Sequence, residues 1–442
     1  MDLYRKFMAE LQSWERQGTK EPLLITGARQ VGKTWLIDHF CRENYQDYVY
    51  LNFEQEPLLA SVFDGTMNPE EILKRISILK NKKMTPETAI FMDEIQKSEQ
   101  AITSLKYFCE AEENYRVIAA GSLLGVKLNR FESSFPVGKV QIQRMYPMDF
   151  EEFLIAAGED ALAEVIRDAF LKVKPLPEVI HQKAIQLYHD YLFVGGMPQC
   201  VADYIANNCD VTRFNRQLQN YILLAYGADM TKYTISVAEG AKIAAIYDSV
   251  PRQLAKENPK FKYKDIRANA NKRDFYLPLD WLVSSGMVYK VTKAEVPKTP
   301  LKVYAEEGFF KLYLSDVGLL MYASGMSYND LLNTSDNTFK GAVAENYVVQ
   351  MAAAGEKGLF YYKPDDSMEI DLLLEYDGEI VPMEIKAGRH KRSTSLKNYR
   401  TKFSPVKMIR ISENNFGQAD ELISVPLYAA FCLGTALPSD FQ

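Results

Sequence analysis

Apolar positions in the first 150 residues alternate between two periods. Leu3, Phe7, Leu11 and Trp14 recur at helical spacing, and a short apolar run, PLLIT, leads into a glycine-bearing turn. Beyond that turn, YVYLNF reads as a strand, PEEILKRISILK as a helix and TAIFMDE as a strand. SLKYFCEAEE then reads as a helix and YRVIAAGS as a strand. Strands alternating with helices predict a parallel α/β sheet. From about 150 to 250 helical spacing dominates, broken by FVGGMP. Residues 255–293 read as helices running into a β-rich stretch, with YLPLDWLVSSGMVYKV as helix, Gly286 turn and strand. From about 335 the order is helix, strand, Asp377-Gly378 turn, strand, helix, strand. These shifts predict an α/β chain in three parts, 1–155, 156–335 and 336–442, without internal repeats.

The turn after PLLIT carries chemistry. Gly27-Ala28-Arg29-Gln30-Val31-Gly32-Lys33-Thr34 fits GxxxxGK[ST] between a strand candidate and a helix candidate. Gly27 and Gly32 let backbone N–H groups fold around phosphate oxygens, and the helix N-terminus adds a positive dipole end. Lys33 is expected to reach the β- and γ-phosphates of ATP, and the Thr34 hydroxyl to take Mg²⁺. Asp93, ending TAIFMDE, is the expected second Mg²⁺ partner, and Glu94 the residue that polarises the attacking water. Both would equally serve as caps of the next helix. Ser122, ending the third strand, is a candidate sensor of the γ-phosphate or a plain turn serine. Asn271-Lys272-Arg273-Asp274 matches the guanine motif NKxD, but it lies far beyond the α/β part and follows no apolar strand, so ATP is the expected nucleotide.

Charge changes the picture locally. Lys and Arg number 52 against 58 Asp and Glu, a net charge of −6, so any contact with nucleic acid must be confined to patches. Residues 256–273 form one such patch, its seven basic side chains set against Glu257 and Asp265, with Asp274 following. Residues 386–410 form another, with nine basic and no acidic side chains. The order of helix, turn and strand after the first patch is compatible with a winged helix. EIDLLLEYDGEIVPMEIKAG brings Asp371, Glu384 and Lys386 onto paired strands, with Glu345 on a preceding helix. Carboxylates beside a lysine suit metal-dependent phosphodiester hydrolysis, and they equally suit an ion-paired strand face. The five cysteines and four histidines form no metal-ligand spacing. No apolar run nears the ~20 residues that span a bilayer, so a soluble cytoplasmic protein with no membrane partner is expected.

Together these motifs resemble a prokaryotic family of AAA-type ATPases with a C-terminal restriction-endonuclease-like domain. The resemblance rests on LLITGARQVGKT with Arg29-Gln30 inside the loop, AIFMDEIQK, VIAAGSLLG, MYPMDFEEFL, FVGGMP, KLYLSDVGLL and EIDLLLEYDGEIVPMEIKAG. It implies an AAA-like P-loop core, a helical and winged-helix part, and a small α/β domain of the PD-(D/E)xK type. In that comparison residues 27–34 bind ATP, Asp93 and Glu94 complete the ATPase, and Glu345, Asp371, Glu384 and Lys386 match the nuclease-like pattern. Relatives often carry Gly-Arg where this chain has Gly138-Lys139; lysine is the poorer planar donor, so Arg144 or Arg130 would have to act on the γ-phosphate. The combined expectation is a slow Mg-ATPase whose nucleotide state controls a module that engages nucleic acid or a protein. The alternatives are a nucleotide switch without turnover and an ATP-regulated nuclease.

Overall fold

The computed structural model describes residues 2–122, 124–129, 136, 138–232, 234, 236–333, 338–355, 358–389 and 394–434. Its chain divides into two compact units, one of residues 5–146 with 284–286, the other of residues 1–4, 147–283 and 287–442.

The first unit is built on parallel strands β1 (Leu23–Thr26), β2 (Tyr48–Asn52), β3 (Ala89–Asp93), β4 (Val117–Ala120) and β5 (Gln141–Arg144). Among the described residues they lie in the order β2-β3-β4-β1-β5. The central strands β3 and β4 are buried along their whole length, as parallel strands covered on both faces must be. Helix Pro69–Lys80 starts where Asn68 accepts from Glu70 N–H at 2.9 Å, and it buries Ile72, Leu73 and Ile76. Helix Glu99–Glu110 starts at Ser98, whose Oγ accepts from Ala101 N–H at 3.1 Å. Strand β5 has no apolar alternation and goes unread in sequence. It pairs along its length with β1, from Leu23–Gln141 to Thr26–Arg144, so backbone bonds rather than burial define it.

The second unit contains a mixed sheet. Its strands are β6 (Val288–Ala294), β7 (Ala305–Leu314), β8 (Phe360–Asp365), β9 (Met368–Tyr376), β10 (Glu379–Ile385), β11 (Met408–Ser412), β12 (Gly417–Ala419) and β13 (Leu422–Pro426). Among the described residues their order is β12-β13-β11-β10-β9-β8-β6-β7. Asp377 and Gly378, both at positive φ, close the β9–β10 hairpin as their Asp-Gly chemistry predicts. The boundary expected near 336 is crossed by this sheet, because β6 pairs in parallel with β8 at Thr292–Phe360 and Lys293–Tyr361. Residues 288–314 therefore share a sheet with the strands beyond 336.

FVGGMP and KLYLSDVGLL meet in the second unit. The Asp316 carboxylate caps helix Val317–Ala323 by accepting from Leu319 N–H at 3.0 Å, and its other oxygen accepts from Gly196 N–H at 2.6 Å. Gln219 donates to the carbonyls of Phe193, Val194 and Gly318. A Cβ on Gly318 would lie 2.6 Å from Gly195 Cα and N and from Val194 O. Those neighbours are backbone, so nothing flexible can yield. Gly318→Ala is expected to cost about 3 kcal/mol in denaturant unfolding. Gly341→Ala, in helix Thr338–Ala353 with nothing within 4 Å of its Cβ, is expected to leave stability unchanged or slightly raised.

Candidate functional site

The glycine loop leaves β1 at Gly27 with φ 139°, where a Cβ would lie 2.2 Å from Met145 O. Only glycine fits that approach. Gln30 at φ 67° and Gly32 at φ 93° complete the turn, and Lys33 opens helix Lys33–Asn44. Ala28 and Val31 are buried beneath the loop. Arg29 lies outside, 4.0 Å from Glu54. Lys33 is 7% exposed, and its Nζ donates to Gly27 O at 2.9 Å and Ala28 O at 2.8 Å. Its charge is thus held inside the ring of backbone that the loop forms.

Thr34 follows with its hydroxyl donating to Asp93 Oδ2 at 2.9 Å. The same oxygen accepts from Tyr50 OH at 3.0 Å, and Asp93 Oδ1 accepts from Glu94 N–H at 3.0 Å. Asn52 Nδ2 in turn donates to Tyr50 OH at 2.8 Å. Burial, with Asp93 adding to it, raises the Tyr50 phenol to about 12, so it remains a donor. Tyr50 is a site residue that strand alternation alone gives no reason to single out. The Thr34 hydroxyl and Asp93 carboxylate are adjacent hard oxygens, a donor pair that fits Mg²⁺ completed by phosphate and water.

Glu94 lies just past β3 at φ 53° and makes no capping bond of its own. Ser98 caps the next helix, so the capping role open in sequence belongs to neither Asp93 nor Glu94. Burial raises the Glu94 carboxyl above the usual carboxylate range, against the hydrogen bond donated by Gln96 Nε2 and the charge of Lys33. Ser122 follows β4, the strand between β1 and β3, and is buried. Gly121 beside it leaves room for Gln96, whose Oε1 would lie 2.0 Å from a Cβ there. The sheet therefore collects Gly27–Thr34, Asp93, Glu94 and Ser122 at the carboxyl ends of three neighbouring strands.

Two cationic positions separate clearly. Lys139 precedes β5, whose first residue pairs with the first residue of β1, and it ion-pairs with Glu110 at 3.2 Å. It therefore lies at the edge of the sheet opposite the glycine loop. Arg144 pairs with Thr26 at the loop edge. Arg130 lies outside the described residues. A further arginine, unread in sequence, supports the loop: Arg5 is 5% exposed and donates to Val31 O at 2.6 Å and Tyr146 O at 2.7 Å. Arg5→Met is expected to weaken ATP affinity roughly tenfold in equilibrium titration without touching nucleotide, because the loop loses its tie to the segment after β5.

The guanine-like string is local structure. Asn271 accepts from Asp274 N–H at 3.1 Å and donates to its carboxylate at 2.8 Å at the start of helix Lys272–Ser285.

The C-terminal candidates form a different kind of cluster. Glu345 lies on helix Thr338–Ala353, Asp371 on β9, Glu384 on β10 and Lys386 just beyond it. Lys386 Nζ is 3.3 Å from Glu384 Oε1, and Asp371 Oδ2 accepts from Ile385 N–H at 2.8 Å. Burial, with Glu345 adding to it, raises the Asp371 carboxyl above the usual carboxylate range. Residues absent from the sequence reading complete the group: Lys311 and Tyr313 of β7, both contacting Glu345, and Glu369 of β9, contacting Lys311. Among the described residues no group of three or more His, Cys, Asp or Glu stands placed to hold a metal. Lys311 lies between Glu345 and Glu369, while Glu384 Oε2 is buried without a hydrogen-bond partner.

The basic patches are partly neutralised. In 256–273, Lys256 pairs with Asp265 at 2.7 Å, while Lys260 lies 3.5 Å from the centre of the half-exposed Phe309 ring; Lys293, outside this run, pairs with Glu306 at 2.8 Å. In 386–410, Arg389 pairs with Glu178 at 3.7 Å and Arg400 with Glu421 at 2.7 Å. Lys397 remains exposed. Lys391 and Arg392 lie outside the described residues.

Residues 19–154 match a family described as an AAA domain. Residues 185–330 and 340–428 match two families described as domains of unknown function, DUF8612 and DUF4143. No curated protein matches the chain. Among solved structures, a Walker-type ATPase of Pyrococcus abyssi is similar at 15% identity and TM-score 0.41, over 73% of this chain and 96% of that one. The ORC2 protein of Aeropyrum pernix in ADPNP-ADP complexes is similar at 12% identity and TM-score 0.37, over 73% and 94%. The Thermotoga maritima RuvB Holliday junction branch migration motor is similar at 15% identity and TM-score 0.28, over 70% and 92%. The family match and the loop geometry make residues 19–154 an AAA-type, nucleotide-binding P-loop domain.

Proposed function

We propose that the chain is a slow Mg-dependent ATPase whose nucleotide state controls a partner-binding module in residues 147–434. The observation that carries the ATPase reading is the shared carboxylate. Asp93 is held at once by Thr34, Tyr50 and Glu94 N–H, which puts the metal-side hydroxyl and the candidate base on one rigid group. In this reading Lys33 and the loop N–H groups bind the β- and γ-phosphates, and Thr34 and Asp93 hold Mg²⁺, which supplies charge neutralisation when bound. Glu94 takes the proton of the attacking water, Ser122 orients the γ-phosphate, and Arg144 is the cation at the loop edge. Among the described residues no helix is long and apolar enough to cross a membrane.

For the partner, nucleic acid is the class the chemistry favours. Lys260 and the half-exposed Phe309 ring combine a cation with an aromatic face, the pairing that backbone phosphates and bases recognise. Steady-state ATP turnover with and without single- and double-stranded DNA tests both parts. The expected result is slow basal turnover that changes on adding nucleic acid. Lys260→Glu with Lys397→Glu should remove that change and lower the salt slope of binding by about one unit per lost phosphate contact. Turnover indifferent to DNA, with no binding at low salt, would replace nucleic acid by a protein partner. No turnover under any condition, with ATP still bound, would leave a nucleotide switch.

A further inference from the structure

Lys311 of β7 is 1% exposed. Taking an ammonium out of water is costly unless it is paired. Its Nζ lies 2.8 Å from Glu369 Oε1 and 3.4 Å from Glu345 Oε2, with the Tyr361 ring centre 5.3 Å away. Tyr313, two residues along the same strand, donates to that same Glu345 oxygen at 2.8 Å. Lys363 takes the other Glu369 oxygen at 2.7 Å.

We propose that the Lys311 ammonium is the resident cation between Glu345 and Glu369, filling the place that a divalent metal would need between those two carboxylates. Four carboxylate oxygens of the cluster are held by its own donors, while Glu384 Oε2 is buried without a hydrogen-bond partner. Glu345 Oε2 is shared by Lys311 and Tyr313, both Glu369 oxygens face lysines, and Asp371 Oδ2 is held by Ile385 N–H. A metal with short bonds to oxygen would have to displace these donors and sit against a buried positive charge. Burial alone would lower the Lys311 ammonium, but Glu345, Tyr313, Glu369 and Asp371 together hold it well above the usual lysine range. It therefore does not leave by losing its proton at neutral pH. The cluster can fasten helix Thr338–Ala353 to β7 and β9, and it presents Lys386 beside Glu384. This inference stands independently of the nucleotide reading.

The test uses the full chain carrying Asp93→Asn, so that the nucleotide site offers no metal pair. Mn²⁺ uptake is read by electron paramagnetic resonance, and the unfolding midpoint is read at pH 8. With Lys311 present, the expected result is no Mn²⁺ uptake that Glu345→Gln removes, and no Glu345-dependent midpoint shift at ~5 mM Mn²⁺. Lys311→Met should lower the metal-free midpoint by roughly 10 °C, because the carboxylates lose their counter-charge. It should then take up one Mn²⁺ and recover about half of that loss. If the methionine variant does not fold, Lys311→Gln, which keeps polar atoms without charge, carries the same readouts. Mn²⁺ uptake by the Lys311-containing chain that disappears in Glu345→Gln overturns the proposal. A folded Lys311 variant that gains no response to Mn²⁺ overturns it as well.

Discussion

Lys33→Ala is expected to abolish measurable ATP binding. Lys33 is the cation held inside the loop, with Nζ against the carbonyls of Gly27 and Ala28. Charge-assisted bonds to phosphate are about twice as strong as neutral ones, and the alanine variant keeps backbone N–H donors alone. Affinity should fall by at least ~10²-fold, about 3 kcal/mol. Alanine is a good helix former at the first position of helix Lys33–Asn44, so the fold should survive. Equilibrium titration with a labelled ATP analogue, beside an unfolding curve, separates lost binding from lost structure. A folded variant with undiminished affinity would remove the phosphate-loop assignment.

Most of the nucleotide site is legible in the sequence because its chemistry is local. Gly27 to Thr34 are consecutive, and Asp93 and Glu94 end an apolar run that can only be a buried strand. The rest of the site is made by contacts across the chain. Tyr50 reaches Asp93 over 43 residues, and Arg5 reaches Val31 and Tyr146 over 26 and 141. In sequence the first is one more strand residue and the second one more charge near the start. Strand β5 is hidden for a related reason: its pattern QIQR carries no hydrophobic alternation, and pairing with β1 defines it.

Charged residues in the second unit are the least legible. Glu345, Asp371, Glu384 and Lys386 have the residue types of a metal site, yet Lys311 and Tyr313 come from another strand to occupy Glu345. Lysine on a strand usually extends to solvent, so nothing in KLYLSDVGLL marks Lys311 as buried. In the run 386–410, counting like charges overstates the patch, since Glu178 and Glu421 approach it from distant segments. The glycines of FVGGMP and KLYLSDVGLL are legible as markers, but their physical reason, backbone packed on backbone, appears only in three dimensions.

Glu94→Gln is expected to leave ATP affinity near its original value and to lower turnover by roughly 10²-fold or more. Glutamine keeps the size and polarity of the side chain, so the backbone at φ 53° and the bond from Glu94 N–H to Asp93 need not change. What disappears is a group able to take a proton. Burial raises the Glu94 carboxyl above the usual carboxylate range, and this fixes the sign of a pH effect. A base acts in its ionised form, so turnover should fall as pH drops through the raised value, starting above the range where an exposed glutamate protonates. The glutamine variant should lose that acid limb along with its rate. Single-turnover hydrolysis across pH, beside ATP binding at each pH, distinguishes this from a general loss of structure. A variant that hydrolyses ATP at the original rate would place the base elsewhere and leave Glu94 as a residue that orders the turn after β3.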